Sequence, residues 1–308
     1  MVIKVYNFGF IVLCFAGGYS MFWSVRPVVC IGCGSPFNSL VGDIVNRSSS
    51  VYVLNLSNGY GGKVDFDGAN VIRKSFMNIN GRENFLRSSS IFYFVFPFKF
   101  LVDFKGGVYD FVGRILKACN DRRVRIVFGV YFNGCRVDGF DLIDFYRFCC
   151  DVSVNPIGFL VFDEVFGPGV DCGVVFDVLR LFSRSPLRVV VPFSAGDVRD
   201  YVYVKDFVDV FIDSIDRFEE DCLVLISGFR VSVARIVRCI MVLLGLDGVG
   251  EVSYSVVRGS RRRLDKIFGC NIASWFKPKI GFEKGLKETI DWFEVEFGPI
   301  LVCNGGEV

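Results

Sequence analysis

The sequence predicts an α/β fold in which a doubly wound parallel sheet is followed by a smaller C-terminal α/β domain. From Val28 onward, short runs of β-forming residues alternate with segments whose apolar residues recur at helical spacing. This alternation is typical of a parallel sheet covered by helices. The chain has 308 residues, 52% of them hydrophobic, which is enough to bury the core of one large domain or two modest ones.

Each predicted strand is a short run of aliphatic and aromatic residues, and each predicted helix has apolar residues three and four positions apart. The predicted strands are Val28–Ile31, Val51–Asn55, Ile91–Phe96, Ile126–Tyr131, Gly158–Val165, Leu187–Val191 and Tyr201–Val204. The predicted helices include Leu40–Val45, Phe111–Leu116, Phe140–Cys150, Val233–Leu244 and Phe282–Phe293. A Gly-Pro-Gly loop at residues 167–169 separates the two halves.

Composition excludes several kinds of chemistry. The chain contains no histidine, which excludes Ser-His-Asp and Cys-His catalysis and every metal site that needs imidazole. Its formal net charge of +2 gives no field that would favour nucleic acid or an anionic membrane as a partner. We therefore expect no nucleic-acid partner.

The 12 cysteines are spread singly through apolar stretches, which is typical of buried free thiols in a reducing compartment. Cys30 and Cys33 form a C-x-x-C pair, but no second pair or histidine completes a zinc site. The sequence therefore predicts a cytoplasmic protein without a metal site.

An uncharged stretch precedes the first predicted strand. Residues 5–25 carry no charged side chain and are about as long as the ~20 residues of a membrane helix. Three interpretations stay open for the N-terminal extension 1–27: a membrane anchor, a targeting segment, or a misassigned start with Met21 as the first residue. Membrane contact through residues 5–25 is thus the alternative to a cytoplasmic protein.

A glycine-bearing turn joins the first predicted strand to the first predicted helix. It reads Cys30-Ile31-Gly32-Cys33-Gly34-Ser35-Pro36-Phe37. Such a turn at a helix N-terminus lets the backbone approach a pyrophosphate. From Cys30 through Asn55, the sequence resembles the opening of the extended short-chain dehydrogenase/reductases, the NAD-dependent epimerase/dehydratase family.

Three later segments are similar to further motifs of that family. Residues 165–169 resemble its V-Y-G-P-G loop, and residues 199–209 resemble its R-D-[FY]-V-Y-V-x-D-x-V motif. Residues 275–293 are similar to the ending of nucleotide-sugar epimerases, dehydratases and decarboxylases. The resemblance implies a Rossmann-type NAD-binding domain over 28–169 and a mainly substrate-binding cap over 170–296. Within the cap, residues 199–226 return to the Rossmann-type domain, and residues 297–308 form a tail.

The resemblance also implies a catalytic tyrosine with a lysine four residues later. These positions fall at Phe140 and Asp144. Phenylalanine has no proton to exchange, and a phenol of ordinary pKa ~10 needs a nearby cation to act as a base near neutral pH. Tyr131 is a substitute candidate, whereas Tyr146 would project away from the catalytic face of a helix that starts at Phe140.

For the cofactor, the resemblance implies NAD or NADP held by Gly32, Gly34, Asn55 and Asn78. Gly34 keeps one of three family glycines, Gly32 partly stands in for another, and Phe37 replaces the third with a bulky ring. Asn55 stands where an acidic residue holds the adenosine ribose, and it can bond a diol without charge assistance. Asn78 stands at a position that meets adenine.

For the substrate, the resemblance matches Arg199 and Arg258 to two arginines that contact the diphosphate of a nucleotide-sugar. A guanidinium group suits this role because it binds phosphate oxygens bidentately. Structural alternatives stay open: a salt bridge of Arg199 with Asp200 or Asp206, and a solvated basic run around Arg258. Glu164 replaces a family asparagine and adds negative charge.

The expected function is therefore binding of, or action on, a nucleotide-sugar by a catalytically impaired protein of this family. Two alternatives remain: an active NAD-dependent epimerase or dehydratase with a substituted proton carrier, and a non-catalytic scaffold or heterodimer partner. The resemblance also implies a homodimer or heterodimer, with helices at Phe111–Lys117 and Phe140–Cys150 paired across a two-fold axis.

Overall fold

The computed structural model describes residues 4–6, 10–12, 27–48, 50–56, 69–72, 84–133, 141–255 and 271–300. The strands are β1 (Lys4–Tyr6), β2 (Phe10–Val12), β3 (Val28–Gly32), β4 (Val51–Asn55), β5 (Asn70–Ile72), β6 (Ile91–Pro97), β7 (Arg125–Tyr131), β8 (Ile157–Phe162), β9 (Glu164–Phe166), β10 (Arg188–Val191), β11 (Val198–Tyr203), β12 (Cys222–Leu225), β13 (Phe229–Ser232), β14 (Glu251–Tyr254) and β15 (Asn271–Ile272). The helices are α1 (Ser35–Arg47), α2 (Asn84–Ser88), α3 (Phe98–Asp103), α4 (Lys105–Cys119), α5 (Leu142–Val152), α6 (Val174–Arg184), α7 (Val204–Ser214), α8 (Val233–Leu243) and α9 (Phe282–Phe297).

Within these described residues, eight strands form a large sheet. Its order is β15-β12-β8-β7-β6-β3-β4-β5, and every neighbouring pair is parallel. The chain runs outward from β3 to β5, crosses back to β6, and continues to β15 on the other side. This reversal is the doubly wound arrangement that the sequence predicted, and it places the carboxyl ends of β3 and β6 side by side.

The central strands are buried on both faces, which is why they read as continuous apolar runs. Aromatic rings stack across them: the Phe94 ring centroid lies 4.4 Å from that of Phe128, which lies 5.3 Å from that of Phe159. These residues stand opposite one another in strand register. Stacked pairs of this kind stabilise the register of β6, β7 and β8 beyond the burial of their apolar area.

The chain leaves the large sheet after β8 and returns to it through β12. Between these strands lie β9 and β11, which pair in parallel, and β11 also pairs antiparallel with β13, which follows β12. A separate parallel pair joins β10 to β14. Helix α7 follows β11 directly and packs on α1, and β12 then pairs with β8.

One predicted strand, Gly158–Val165, is divided in the structure. β8 ends at Phe162 in the large sheet, and β9 begins at Glu164 in the three-stranded sheet. The intervening Asp163 is buried, and its carboxylate accepts a hydrogen bond from the backbone N–H of Asp200 at 3.1 Å. This bond ties the chain to β11 at the point where it changes sheets.

The helices expected to form a dimer bundle, α4 and α5, pack on each other and on the large sheet. Phe111 and Ile115 of α4 and Phe145 of α5 are buried in the core of one chain. The half-buried Tyr109 and Phe148 rings lie 4.8 Å apart between the two helices. Much of the apolar surface of both helices is therefore covered within the chain, and dimerisation stays a prediction.

The N-terminal stretch is described only in part. β1 and β2 pair as a short antiparallel ladder, and the other residues of the span 5–25 lie outside the described residues. Among the helices in the described part of the chain, none is both long enough and apolar enough to cross a membrane.

Candidate functional site

The glycine turn, defined as residues 32–37, lies at the carboxyl end of β3. Ligands of doubly wound sheets bind at this edge, where the strand order reverses. Gly32 ends β3, and a Cβ there would overlap the carbonyl oxygen of Val95 on β6. The Cys33 N–H donates to the same carbonyl at 3.2 Å. Only glycine therefore permits this approach between the two strand ends.

Tyr131 fills the space beside Gly34. It ends β7, is buried, and donates its hydroxyl to the carbonyl oxygen of Cys33 at 3.2 Å. Gly34 caps α1 with a φ of 89°, in the left-handed region that favours glycine. A Cβ on Gly34 would overlap the Tyr131 hydroxyl oxygen. The candidate proton carrier thus lies against the glycine turn and bonds to its backbone.

The first turn of α1 is buried beside the loop of residues 167–172. Ser35, Pro36 and Phe37 are all buried, and proline has no N–H to offer a ligand. The Ser35 hydroxyl donates to Asp171 Oδ1 at 2.7 Å, and the Asp171 N–H donates to Ser35 Oγ at 3.1 Å. Asp171 therefore presents a carboxylate at the helix N-terminus, where the helix dipole stabilises negative charge.

Burial keeps Tyr131, Cys33 and Cys172 neutral beside the glycine turn. It raises the pKa of Tyr131 well above its ordinary value, and nearby thiols add to the rise. Burial also raises the pKa of Cys33 to about 12 and that of Cys172 to about 12. A phenol with a raised pKa is a poor general base near neutral pH, so the surroundings of Tyr131 do not activate it.

Asn133, which no sequence pattern singled out as a site residue, joins the end of β7 to β9 and to Cys172. Its φ of 39° lies in the left-handed region, which asparagine tolerates. Its side-chain amide accepts from the Val165 N–H at 2.7 Å and donates to Cys172 Sγ at 3.1 Å. The Asn-Gly dipeptide at residues 133–134 was the available signal, because it is a turn signature.

The arginine cluster, defined as Glu164, Asp197 and Arg199, lies on β9, β11 and the residue before β11. Arg199 Nη1 donates to Glu164 Oε1, while Nη2 and Nε donate to Asp197 Oδ2 at 3.0 and 3.1 Å. Arg199 is 5% exposed and Glu164 is 1% exposed. Charge-assisted bonds in such a buried place are strong, and they hold the guanidinium in one orientation.

The acidic partners considered for Arg199 from the sequence bond elsewhere. Asp200 accepts from the Gly228 N–H at 2.5 Å, and Asp206 accepts from the Lys279 N–H at 3.1 Å. Successive residues of a strand point to opposite faces. Asp200 therefore faces away from Arg199, whereas Asp197, two positions earlier, shares its side.

The arginine cluster pairs one cation with two carboxylates. Burial on its own would lower the pKa of Arg199, but Glu164, Tyr201 and Asp197 together outweigh this effect and hold the pKa above its ordinary value, so the guanidinium stays charged. The second oxygen of Glu164 accepts from the Val174 N–H at 3.3 Å. The guanidinium also lies 5.0 Å from the Phe193 ring centroid. Contact of Arg199 with a substrate diphosphate stays a prediction.

The remaining sequence candidates are Asp144, Asn55, Phe140, Asn78 and Arg258. Asp144 is exposed in the first turn of α5, and its Oδ1 lies 3.6 Å from Nη1 of Arg147 on the same helix. Asn55 is the last residue of β4. Phe140, Asn78 and Arg258 lie outside the described residues.

Two further features bear on ligand binding. A cavity of about 580 Å³ lies along α8, and it shares no residue with the glycine turn or the arginine cluster. Its lining is Ala234, Arg235, Arg238, Cys239, Val242, Leu243 and Glu283. Among the described residues, no group of three or more cysteines and carboxylates is placed to hold a metal ion.

No family model and no curated protein matches the sequence, but solved structures match the fold. The epimerase Mth375 from Methanothermobacter thermautotrophicus is 16% identical over 91% of this chain and 95% of its own, with a TM-score of 0.67. The UDP-N-acetylglucosamine 4-epimerase from Methanobrevibacter ruminantium M1 is 14% identical over 89% of this chain and 100% of its own, with a TM-score of 0.68. MoeE5, solved with UDP-glucose and NAD, is 18% identical over 88% of this chain and 99% of its own, with a TM-score of 0.65. This chain has the fold of nucleotide-sugar epimerases and dehydratases.

The epimerase/dehydratase fold brings some of the candidate residues together. Gly32, Gly34 and Tyr131 meet at the glycine turn, and Asn133 connects that region to β9, which pairs with the strand carrying Arg199. One fold can host different activities, so the residues of the site, and not the fold alone, determine the function.

Proposed function

We propose that this chain binds a nucleotide-sugar and is impaired in NAD-dependent epimerase/dehydratase chemistry. The residues at the two catalytic positions carry the proposal. Phe140 has no exchangeable proton, and Asp144 supplies a carboxylate where the chemistry requires a cation. The fold supports the ligand class, since proteins that share it have been solved with UDP-sugars.

The contacts of Tyr131 argue against the alternative of an active enzyme with a substituted proton carrier. Its hydroxyl is committed to the Cys33 carbonyl, and burial raises its pKa. The described residues place no cation against the hydroxyl, and the neighbours that affect its pKa are thiols and Asp171, all of which raise it. A tyrosine base needs the opposite influence.

Arg199 and Arg258 are the proposed diphosphate ligands. A guanidinium has five N–H donors, and three hydrogen bonds already join Arg199 to Glu164 and Asp197. A phosphate oxygen would use the remaining donors or displace Asp197, which is the more exposed of the two carboxylates. Nucleotide-sugar binding would then be accompanied by loosening of the Asp197 contact.

Isothermal titration of the full chain with UDP-glucose, UDP-N-acetylglucosamine and dTDP-glucose tests the proposal. Product analysis of the same mixtures, with NAD added, follows each titration. We expect saturable binding of at least one nucleotide-sugar without turnover. Absence of binding would contradict the ligand class, and turnover by the wild-type chain would contradict the impairment.

The double variant Phe140→Tyr/Asp144→Lys is the matched comparison. It restores the proton carrier and the cation without altering the glycine turn or the arginine cluster. Turnover by this variant alone would assign the impairment to these two positions. Turnover at equal rates in the variant and the wild type would show that the reaction uses other residues.

A further inference from the structure

The glycine turn is covered by parts of the same chain. The Tyr131 hydroxyl occupies the space beside Gly34, and Phe37 places a fully buried ring within the turn. On the other side, the loop of residues 167–172 contacts α1, since a Cβ on Gly169 would lie 3.7 Å from Ser39 Oγ. These contacts bury the first turn of α1, which in an open cleft would face a ligand.

The donors that a dinucleotide phosphate needs are also reduced. A phosphate at a helix N-terminus binds to free backbone N–H groups and to the positive end of the helix dipole. Pro36, in the first turn of α1, removes one such N–H. The Asp171 carboxylate stands at the same helix end, bonded to Ser35. A phosphate brought there would meet a like charge.

We propose that the exposed Asp171, held by Ser35, supplies the chain's own anion at the N-terminus of α1, and that Asp171 and Tyr131 together close the glycine turn to NAD and NADP. The domain then keeps the doubly wound fold, and the Asp171 carboxylate takes the place of a cofactor phosphate at the positive end of the α1 dipole. Nucleotide-sugar binding is a separate event, so failure of one proposal leaves the other standing.

The first arm of the test is a thermal unfolding series of the wild-type chain with NAD and with NADP. A ligand that binds only the folded state raises Tm in a saturable manner. We expect no saturable shift at concentrations up to about 1 mM, which corresponds to binding weaker than about 4 kcal/mol. A saturable rise in Tm at micromolar NAD or NADP would overturn the proposal.

The second arm compares Asp171→Ala, Ser35→Ala and the double variant. Each single change removes the same charge-assisted hydrogen bond, so we expect each to lower Tm by about 3–6 °C. Ser35→Ala also removes the bond that the Asp171 N–H donates to Ser35 Oγ, so the Tm of the double variant should fall by little more than that of Ser35→Ala alone. The more conservative Ser35→Ala keeps the test informative if Asp171→Ala does not fold.

Glu283→Gln is the matched control, because Glu283 is an exposed carboxylate in the first turn of α9. In this variant a charge is removed from a helix N-terminus and no tertiary hydrogen bond is lost. Its Tm should fall by about 1–2 °C. If Asp171→Ala and Ser35→Ala shift Tm no more than this control, Asp171 is not held in place and the proposal fails. Larger, non-additive shifts together with no response to NAD or NADP support it.

Discussion

The glycine turn is covered by the neutral groups of Tyr131 and Phe37, with a single carboxylate at its helix end. The arginine cluster instead holds one cation between two carboxylates, with Arg199 and Glu164 almost fully buried. The first region excludes a ligand mainly by occupying space. In the second region, the hydrogen-bond donors of Arg199 already bind the carboxylates of Glu164 and Asp197.

The two regions should respond differently to change. Removing a neutral contact from the glycine turn costs one hydrogen bond or some packing. Removing Arg199 from the arginine cluster leaves the buried Glu164 carboxylate without its cation, which costs far more than the pair itself contributes. We therefore expect substitutions in the arginine cluster to lower the free energy of unfolding more than substitutions that remove a neutral contact at the glycine turn.

The largest effect is expected for Arg199→Met. The substitution leaves the Glu164 carboxylate buried without its cation, so the free energy of unfolding in urea should fall by ~3–5 kcal/mol. The double variant Arg199→Met/Glu164→Gln should recover part of this loss. The control is Arg188→Met, whose partner Glu251 is 3.4 Å away and whose pair is mostly exposed; it should change stability by under ~0.5 kcal/mol. Equal effects at the two sites would refute the comparison.

The next effect is expected for Gly34→Ala. The new Cβ would overlap the Tyr131 hydroxyl and force an unfavourable φ, so stability should fall by ~2–4 kcal/mol. Adding Tyr131→Phe should restore only the part due to the overlap. Gly42→Ala in the same helix, where a Cβ has open space, should instead stabilise by ~0.5–1 kcal/mol. Urea unfolding of both alanine variants tests the claim, and similar values would contradict it.

Tyr131→Phe on its own should have a smaller effect. It removes the bond to the Cys33 carbonyl, so we expect a loss of ~1 kcal/mol and no change in nucleotide-sugar affinity. Tyr52→Phe, at a half-buried tyrosine on β4 that belongs to neither region, serves as the control for loss of a phenol oxygen. If Tyr131→Phe abolished turnover measured in the wild type, Tyr131 would be a proton carrier.

The smallest effect concerns acid pH and a contact remote from both regions. Hydrogen bonds from the Tyr203 hydroxyl and Lys205 Nζ lower the pKa of Glu288. A lowered pKa in the folded state gives stability that is present above the ordinary value of 4.5 and lost as pH falls through the folded value. In Glu288→Gln, the free energy of unfolding, measured between about pH 3 and 7, should therefore fall less steeply toward acid pH than in the wild type. Glu296→Gln on the same helix is the control, and an unchanged acid limb in Glu288→Gln would contradict the assignment.

The sequence predicted the large sheet well, because its buried strands are uninterrupted apolar runs and its helices keep their spacing. The observed β3, β4, β6 and β7 differ from the predicted strands by at most one residue at an end. The division at Asp163 was not predictable in this way, since it depends on a bond to Asp200, distant in sequence. Local patterns do not report contacts of that kind.

The site was less predictable than the fold for the same reason. The motif indicated Gly34, and its positive φ is a backbone conformation that favours glycine. Asn133 and Asp171 were missed because their partners, Val165 and Ser35, are distant in sequence. Asp197 follows as a partner of Arg199 from strand geometry once the strand bounds are known. The second partner, Glu164, depends on the pairing of β9 with β11.

Hydrogen exchange of the backbone amides in residues 31–39, measured with and without NAD, tests the central claim most directly. Exchange rates report how well each amide is protected by the contacts that cover it. If Asp171 and Tyr131 already close the glycine turn, these amides should exchange slowly in the free protein and should not change when NAD is added. Rapid exchange in the free protein that slows on addition of NAD would show an open cradle and contradict the claim.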